Sequence, residues 1–128
     1  MGLFSSKPKP APKLTVEGIE ITYNGKSDFW EFKYRETEFC VFESIAVLPT
    51  KTELDAILET VEALKPEMKS RLKQWVTVND GESYFVEVKD FSKEKTFEVT
   101  WSEGASWGDI GVDFTIKDRA ILHEMCGD

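Results

Sequence analysis

One stretch of helical periodicity, flanked on both sides by alternating sequence, constrains the fold of this chain more than any other feature. Thr50 and Glu53 form the signature of a capping box directly after Pro49, which marks the start of a helix. Acidic and apolar residues then take opposite faces at helical spacing, the apolar ones being Leu54, Ile57, Leu58, Val61 and Leu64. The sequence therefore predicts an amphipathic helix that packs one apolar stripe against the rest of the domain.

Pro66 interrupts this helical pattern. A proline inside a helix removes a backbone donor, and its ring clashes with the carbonyl four residues earlier. Met68, Leu72 and Trp75 continue a narrower apolar stripe beyond it. Two interpretations remain open from the sequence, one kinked helix and a helical hairpin.

Three segments before the helix have the pattern of strands. Residues 19–23 and 29–34 alternate apolar and polar side chains, and an Asn-Gly turn signal lies between them. Residues 38–42 are apolar on both faces, which predicts an inner strand covered on both sides. Cys40 in this run is then expected to be a small core residue.

Strands return after the helix, and the predicted segments are 75–78, 83–88, 95–101, 110–116 and 120–125. An Asn-Asp-Gly sequence at 79–81 predicts a hairpin between the first two. A turn at 91–94 would place Val86 beside Val99, and a tight turn at Asp118-Arg119 would join the last two strands.

Together these segments predict an α+β fold, with a largely antiparallel sheet of about six to seven strands and a central helical segment packed on one face. The chain has 128 residues, the length of one ordinary domain. We expect residues 14–128 to form this single domain and residues 1–13 to form a flexible tail rich in lysine and proline.

The charge of the chain limits its partners. Its formal net charge is −8, which argues against nucleic acid because phosphates would be repelled. The tail holds three lysines and no acid, so residues 14–128 carry −11. Gly2 and Ser6 fit the loose pattern for N-myristoylation, which leaves a membrane tether as an alternative. No segment of the tail resembles a secretory signal, so the predicted location is the cytoplasm.

The residues that most often carry catalysis are scarce. Cys40 and Cys126 match no metal or redox spacing and are expected to be reduced. His123 is the only histidine, and the predicted turn would place it opposite Phe114 at the rim of the core, without a carboxylate partner. The sequence therefore predicts no catalytic residue, no metal site and no cofactor.

The same predicted register suggests one binding site. It places Asp113 opposite Glu124, and directly opposed like charges destabilise a strand pair unless something compensates. The preceding loop adds Trp107 and Asp109. We expect these four residues to form a site for a cation or for the Lys or Arg of a partner. A register one residue different, or two solvated carboxylates, would explain the pair without a site.

Three functions are compatible with these features. The acidic charge, the aromatic residues and the lack of an assembled catalytic set favour a non-catalytic protein-interaction module for a basic partner, such as an adaptor, a chaperone or an immunity-like protein. The alternatives are a small-ligand or cation-binding domain or enzyme that uses the acidic loop and strand, and a peripheral membrane protein tethered by its tail. The oligomeric state is left open, since free sheet edges allow strand addition.

Overall fold

A computed structural model describes residues 13–16, 18–24, 29–42, 48–78, 83–89, 91, 95–103, 107 and 110–127. These residues form one long helix, α1, and eight strands. In chain order the elements are β1 (Lys13–Val16), β2 (Ile19–Asn24), β3 (Phe29–Tyr34), β4 (Thr37–Phe42), α1 (Lys51–Leu72), β5 (Ser83–Val88), β6 (Thr96–Ser102), β7 (Gly111–Lys117) and β8 (Ala120–Gly127).

The strands form one sheet in which the spatial order is the chain order, from β1 at one edge to β8 at the other. Every neighbouring pair is antiparallel except β4 and β5, which are parallel and meet at the centre. Parallel neighbours need a crossover, and α1 supplies it. The sheet is therefore two antiparallel meanders of four strands each, joined by the helix.

The helix begins where the sequence predicts. The Thr50 hydroxyl accepts from the Glu53 amide at 3.2 Å, and the Glu53 carboxylate accepts from the Thr50 amide at 3.0 Å, which completes the capping box. The helix continues through Pro66, so of the two interpretations left open by the sequence the helical hairpin is wrong and α1 is one helix. Pro66 and Glu62, whose carbonyl loses its donor, are both exposed, and water can hydrate that carbonyl.

Two side-chain contacts fix α1 across the sheet. Tyr34 on β3 donates to Asp55 at 2.7 Å, and Arg71 donates to Glu124 on β8 at 3.0 Å. At 1.5 Å per residue, Asp55 and Arg71 are about 24 Å apart along the helix. Five strand spacings from β3 to β8 span about the same 24 Å. The helix therefore crosses the strands instead of running along them.

The core lies between α1 and one side of the sheet. The sheet contributes Ile19, Ile21, Phe32, Phe39, Val41, Val86, Val88, Phe97, Val99, Trp101, Val112, Phe114 and Ile116, and the helix contributes Leu54, Ile57, Val61, Met68 and Leu72. The fully buried Trp101 donates its ring N–H to the sulfur of Met68 at 3.5 Å. Burial of these side chains is the main stabilising force of the domain.

Several predictions about the strands are confirmed. The class is α+β, with a helix on one face of a mostly antiparallel sheet. Val86 pairs with Val99 as the predicted register requires. Asp118 and Arg119 form a two-residue turn, with φ of 52° and 63°, between β7 and β8. Positive φ at both positions is the geometry of a tight hairpin turn.

Other strand predictions need correction. The sheet has eight strands instead of six to seven, because Lys13–Val16 forms an additional edge strand, β1. Residues 75–78 are not a strand but continue from the helix through turns, with the Val76 amide donating to the Leu72 carbonyl at 3.0 Å. The predicted hairpin between residues 75–78 and 83–88 is therefore wrong.

Within the described residues, no helix is both long and apolar enough to cross a membrane. The predicted tail, up to residue 12, lies outside the described residues, and so does the proposed myristoylation pattern at Gly2 and Ser6.

Candidate functional site

The side of the sheet away from α1 carries a series of carboxylates. No described helix or strand packs on this side. Each of the six strands from β2 to β7 places one acidic side chain there, and these are Glu20, Glu31, Glu38, Glu87, Glu98 and Asp113. We call this surface the acidic face. It follows from strand alternation, since the neighbouring positions on each strand point into the core.

The strand register sets the neighbours on the acidic face. Cys40 lies between Glu31 on β3 and Glu87 on β5. Glu87 in turn lies directly opposite Glu98 on β6. Directly opposed residues of an antiparallel pair have Cβ atoms about 5 Å apart, so these two carboxylates repel each other.

The electrostatics of Glu87 reflect this position. Half-burial raises the pKa of its carboxyl above the ordinary value, and the negative charges of Glu98 and Asp113 raise the pKa further. A hydrogen bond from Thr100 and the charge of Lys89 act in the opposite direction. None of the ion pairs between described residues involves Glu87, Glu98 or Asp113. The centre of the acidic face therefore holds three carboxylates that form no direct ion pair with a described residue.

Threonine hydroxyls supply the polar contacts of this centre. Thr100 donates to Asp113 at 2.7 Å, and Thr115 lies 3.5 Å from a carboxylate oxygen of Glu98. The Thr115 hydroxyl is also 3.2 Å from Nε2 of His123. These neutral groups orient the carboxylates without cancelling their charge.

Cys40 belongs to the acidic face, and the prediction that it is a core residue is wrong. Alternation along β4 buries Phe39 and Val41 and leaves Cys40 half-buried on the other side. Its partial burial, together with the charges of Glu87, Glu31 and Glu38, raises the pKa of the thiol to about 12. Cys40 is therefore a thiol with little thiolate at neutral pH. Both Cys40 and Cys126 are free, as predicted.

Two grooves cross the acidic face. The larger, of about 490 Å³, lies over β2 to β4 and is lined by Glu20, Thr22, Glu31, Phe32, Lys33, Glu38, Phe39 and Cys40. The smaller, of about 280 Å³, lies over β5 to β8 and includes Glu87, Glu98, Thr115 and His123. The larger volume lies within the range of about 300–1,000 Å³ that is typical of small-molecule sites, and the smaller lies just below it.

The three predicted site residues that lie in the described part of the chain, Trp107, Asp113 and Glu124, do not come together. Trp107 is buried and donates its ring N–H to the Thr77 carbonyl at 3.1 Å, so it closes one end of the core. Asp109 lies outside the described residues. Asp113 is on the acidic face, whereas Glu124 is on the face that α1 covers.

A β-bulge explains why Asp113 and Glu124 are not paired. Residue Ile116 pairs with Ile121, but Thr115 pairs with His123, so Leu122 is an extra residue on β8. Beyond the bulge Asp113 pairs with Met125, and the predicted pairing with Glu124 is wrong by one residue. One inserted residue reverses the face of every side chain that follows.

The same bulge changes the position of His123. It was predicted opposite Phe114 at the core rim, but it pairs with Thr115 and is exposed on the acidic face. Glu124 takes the place opposite Phe114 instead. Arg71 and Glu124 form an ion pair at 3.0 Å there, with the Glu124 side chain only 18% exposed.

A metal centre has no support among the parts of the chain that are described, because no three His, Cys, Asp or Glu side chains converge there. No protein-family model, no curated protein and no solved structure matches this chain.

Proposed function

We propose that this protein is a non-catalytic protein-interaction module of the cytoplasm and that its acidic face binds the basic surface of a protein partner. The observation that carries the proposal is the contribution of one carboxylate by each of six consecutive strands on the uncovered side of the sheet. An adaptor, a chaperone and an immunity-like protein are roles that such a face could serve.

The opposed pair of Glu87 and Glu98 supports a cationic ligand. Like charges at directly opposed positions cost free energy in the free protein. A Lys ammonium or Arg guanidinium placed over the pair would donate charge-assisted hydrogen bonds to both carboxylates. Binding of a basic side chain would therefore remove a repulsion as well as add an attraction.

The half-burial of the central carboxylates adds to this argument. Glu87, Glu98 and Asp113 are all partly buried, whereas Glu31 and Glu38 nearer the β1 edge are exposed. Partly buried charges are screened by salt less than exposed ones. The central three carboxylates would hold a bound cation, and the outer ones would extend the negative field that attracts it.

The first test measures the binding of a decalysine peptide to three forms of the protein by fluorescence anisotropy. The face variant carries Glu87→Gln, Glu98→Gln and Asp113→Asn. The control variant carries Glu36→Gln, Glu59→Gln and Asp118→Asn, which removes three charges from exposed positions off the acidic face. We expect the face variant to lose roughly tenfold or more in affinity, because each lost charged contact is worth about 1 kcal/mol.

The control has the same net charge as the face variant, so it separates local recognition from general attraction. Equal losses in the two variants would show that only net charge matters and would contradict the proposal. Capture from native lysate with the same three proteins then identifies the partner, which should be retained by the wild type and the control and lost by the face variant. Its association rate should fall steeply as salt is raised.

A further inference from the structure

The two edges of the sheet are built differently. The first edge strand, β1, has only four residues and begins with Lys13. The last edge strand, β8, has eight residues and contains no proline, lysine or arginine. Short strands, β-bulges and inward-pointing charges are among the devices that prevent one sheet from pairing with another. The β1 edge is short, whereas the longer β8 edge has only the bulge at Leu122 and the inward-facing charge of Glu124.

The exposed side chains of β8 are unusual as well. Four large apolar residues are exposed in the described part of the chain, and two of them, Leu122 and Met125, lie on β8 with 61% and 63% exposure. Their exposure next to a row of unpaired backbone groups is what a strand-pairing surface requires. Within the described residues no strand lies on the outer side of β8.

The β8 strand itself carries little charge. Glu124 is the only acidic residue between 120 and 127. Its carboxylate lies on the covered face and is held by Arg71, which also binds Glu67 at 2.6 Å. Two chains that repel each other elsewhere can therefore approach along β8 without placing unpaired charges together.

From these three observations we propose that β8 pairs with β8 of a second copy of the chain, antiparallel about a twofold axis perpendicular to the sheet. Each copy presents the same edge, so the interface is closed and leaves only the protected β1 edges free. The product is a continuous sheet of sixteen strands. Both acidic faces lie on one side of it and both α1 helices on the other.

The experiment is sedimentation velocity of the full chain over a range of concentration, with Leu122→Lys, Met125→Lys and the double variant. The matched control is Thr15→Lys, an exposed position on the other edge strand. Each lysine reduces the net negative charge, so added repulsion between whole chains cannot explain a loss of dimer. We expect each β8 variant to raise the dimer dissociation constant roughly tenfold, and the control to leave it unchanged.

Amide hydrogen exchange provides a second measurement that does not depend on a substitution. Protection of β8 amides should rise with protein concentration, while that of β1 amides should not change. A chain that stays monomeric at all concentrations overturns the proposal and leaves the edge available to a strand of another protein. A dimer that Thr15→Lys weakens as much as Met125→Lys, or whose formation leaves β8 exchange unchanged, overturns it too. None of these results depends on whether the acidic face binds a basic partner.

Discussion

Glutamate side chains on the two faces of the sheet have opposite electrostatic surroundings. On the covered face, Glu124 is held by Arg71 and is largely shielded from solvent. On the acidic face, Glu87 faces Glu98, and the pKa of its carboxyl is raised. The first glutamate contributes to the packing of helix on sheet, and the second carries a cost in the free protein. This contrast separates the face that maintains the fold from the face that is available for a partner.

The largest expected effect is a difference in the free energy of unfolding between two variants, each of which lacks one phenylalanine from one face. Phe39 on β4 is fully buried against α1 and stacks on Phe32 with ring centroids 5.2 Å apart, whereas Phe85 on β5 is half-buried on the acidic face. We expect Phe39→Ala to lower the free energy of unfolding by about 3–5 kcal/mol. Phe85→Ala should cost roughly 1 kcal/mol, because less area leaves water when it folds. Urea unfolding measures both, and equal losses would mean that the second face is also a core.

An intermediate effect is expected at the ion pair on the covered face. Arg71→Met keeps the aliphatic stem but leaves the Glu124 carboxylate shielded and without its cation, at a cost of about 1–3 kcal/mol. The double variant Arg71→Met with Glu124→Leu should recover part of this loss, because the only carboxylate then left without Arg71 is the exposed Glu67. Thermal unfolding of the two variants tests this. A double variant less stable than the single one would refute the account.

The smallest expected effect is a gain in the free energy of unfolding, and its size depends on pH. Because the pKa of Glu87 is raised in the folded state, the folded chain binds more protons than the unfolded chain between the ordinary value and the raised one. Stability therefore falls as pH rises through that interval. We expect Glu87→Gln to raise the free energy of unfolding by about 0.2–1 kcal/mol at neutral pH. This gain should disappear below the ordinary glutamate pKa of about 4.3.

The matched substitution for this experiment is Glu59→Gln on the exposed side of α1. It removes one charge from the same protein without relieving an opposed pair. A gain of the same size in both variants would attribute the effect to net charge, and a loss in Glu87→Gln would contradict the raised pKa.

Much of the fold was predictable because local patterns determine it. The capping box at Thr50 and the alternation in β3, β6 and β7 require no knowledge of distant residues. Pro66 was harder, since its tolerance depends on the freed carbonyl facing solvent. The edge strand β1 was missed because four residues beside a proline-rich tail carry too little periodicity.

The candidate site was less predictable, because it depends on register across many strands. The bulge at Leu122 adds one residue to β8 and no sequence pattern marks it, so a regular register wrongly places Asp113 opposite Glu124. The acidic face could have been found in part, since Glu31 and Glu98 occupy the polar positions of clearly alternating strands. The continuity of the acidic face from β4 to β5 could not be predicted, because the parallel register of these two strands is set by the packing of the crossover helix.

The order of the strands has a consequence for the chain during its synthesis. As each strand of the first meander leaves the ribosome, its neighbour in the sheet has just been made, so β1 to β4 can pair without waiting for later sequence. Their apolar side, including Ile21 and Phe39, then has no cover until α1 has emerged. The nascent protein therefore exposes half of a core for the time needed to make one helix, and aggregation or capture by a chaperone competes with folding during that interval.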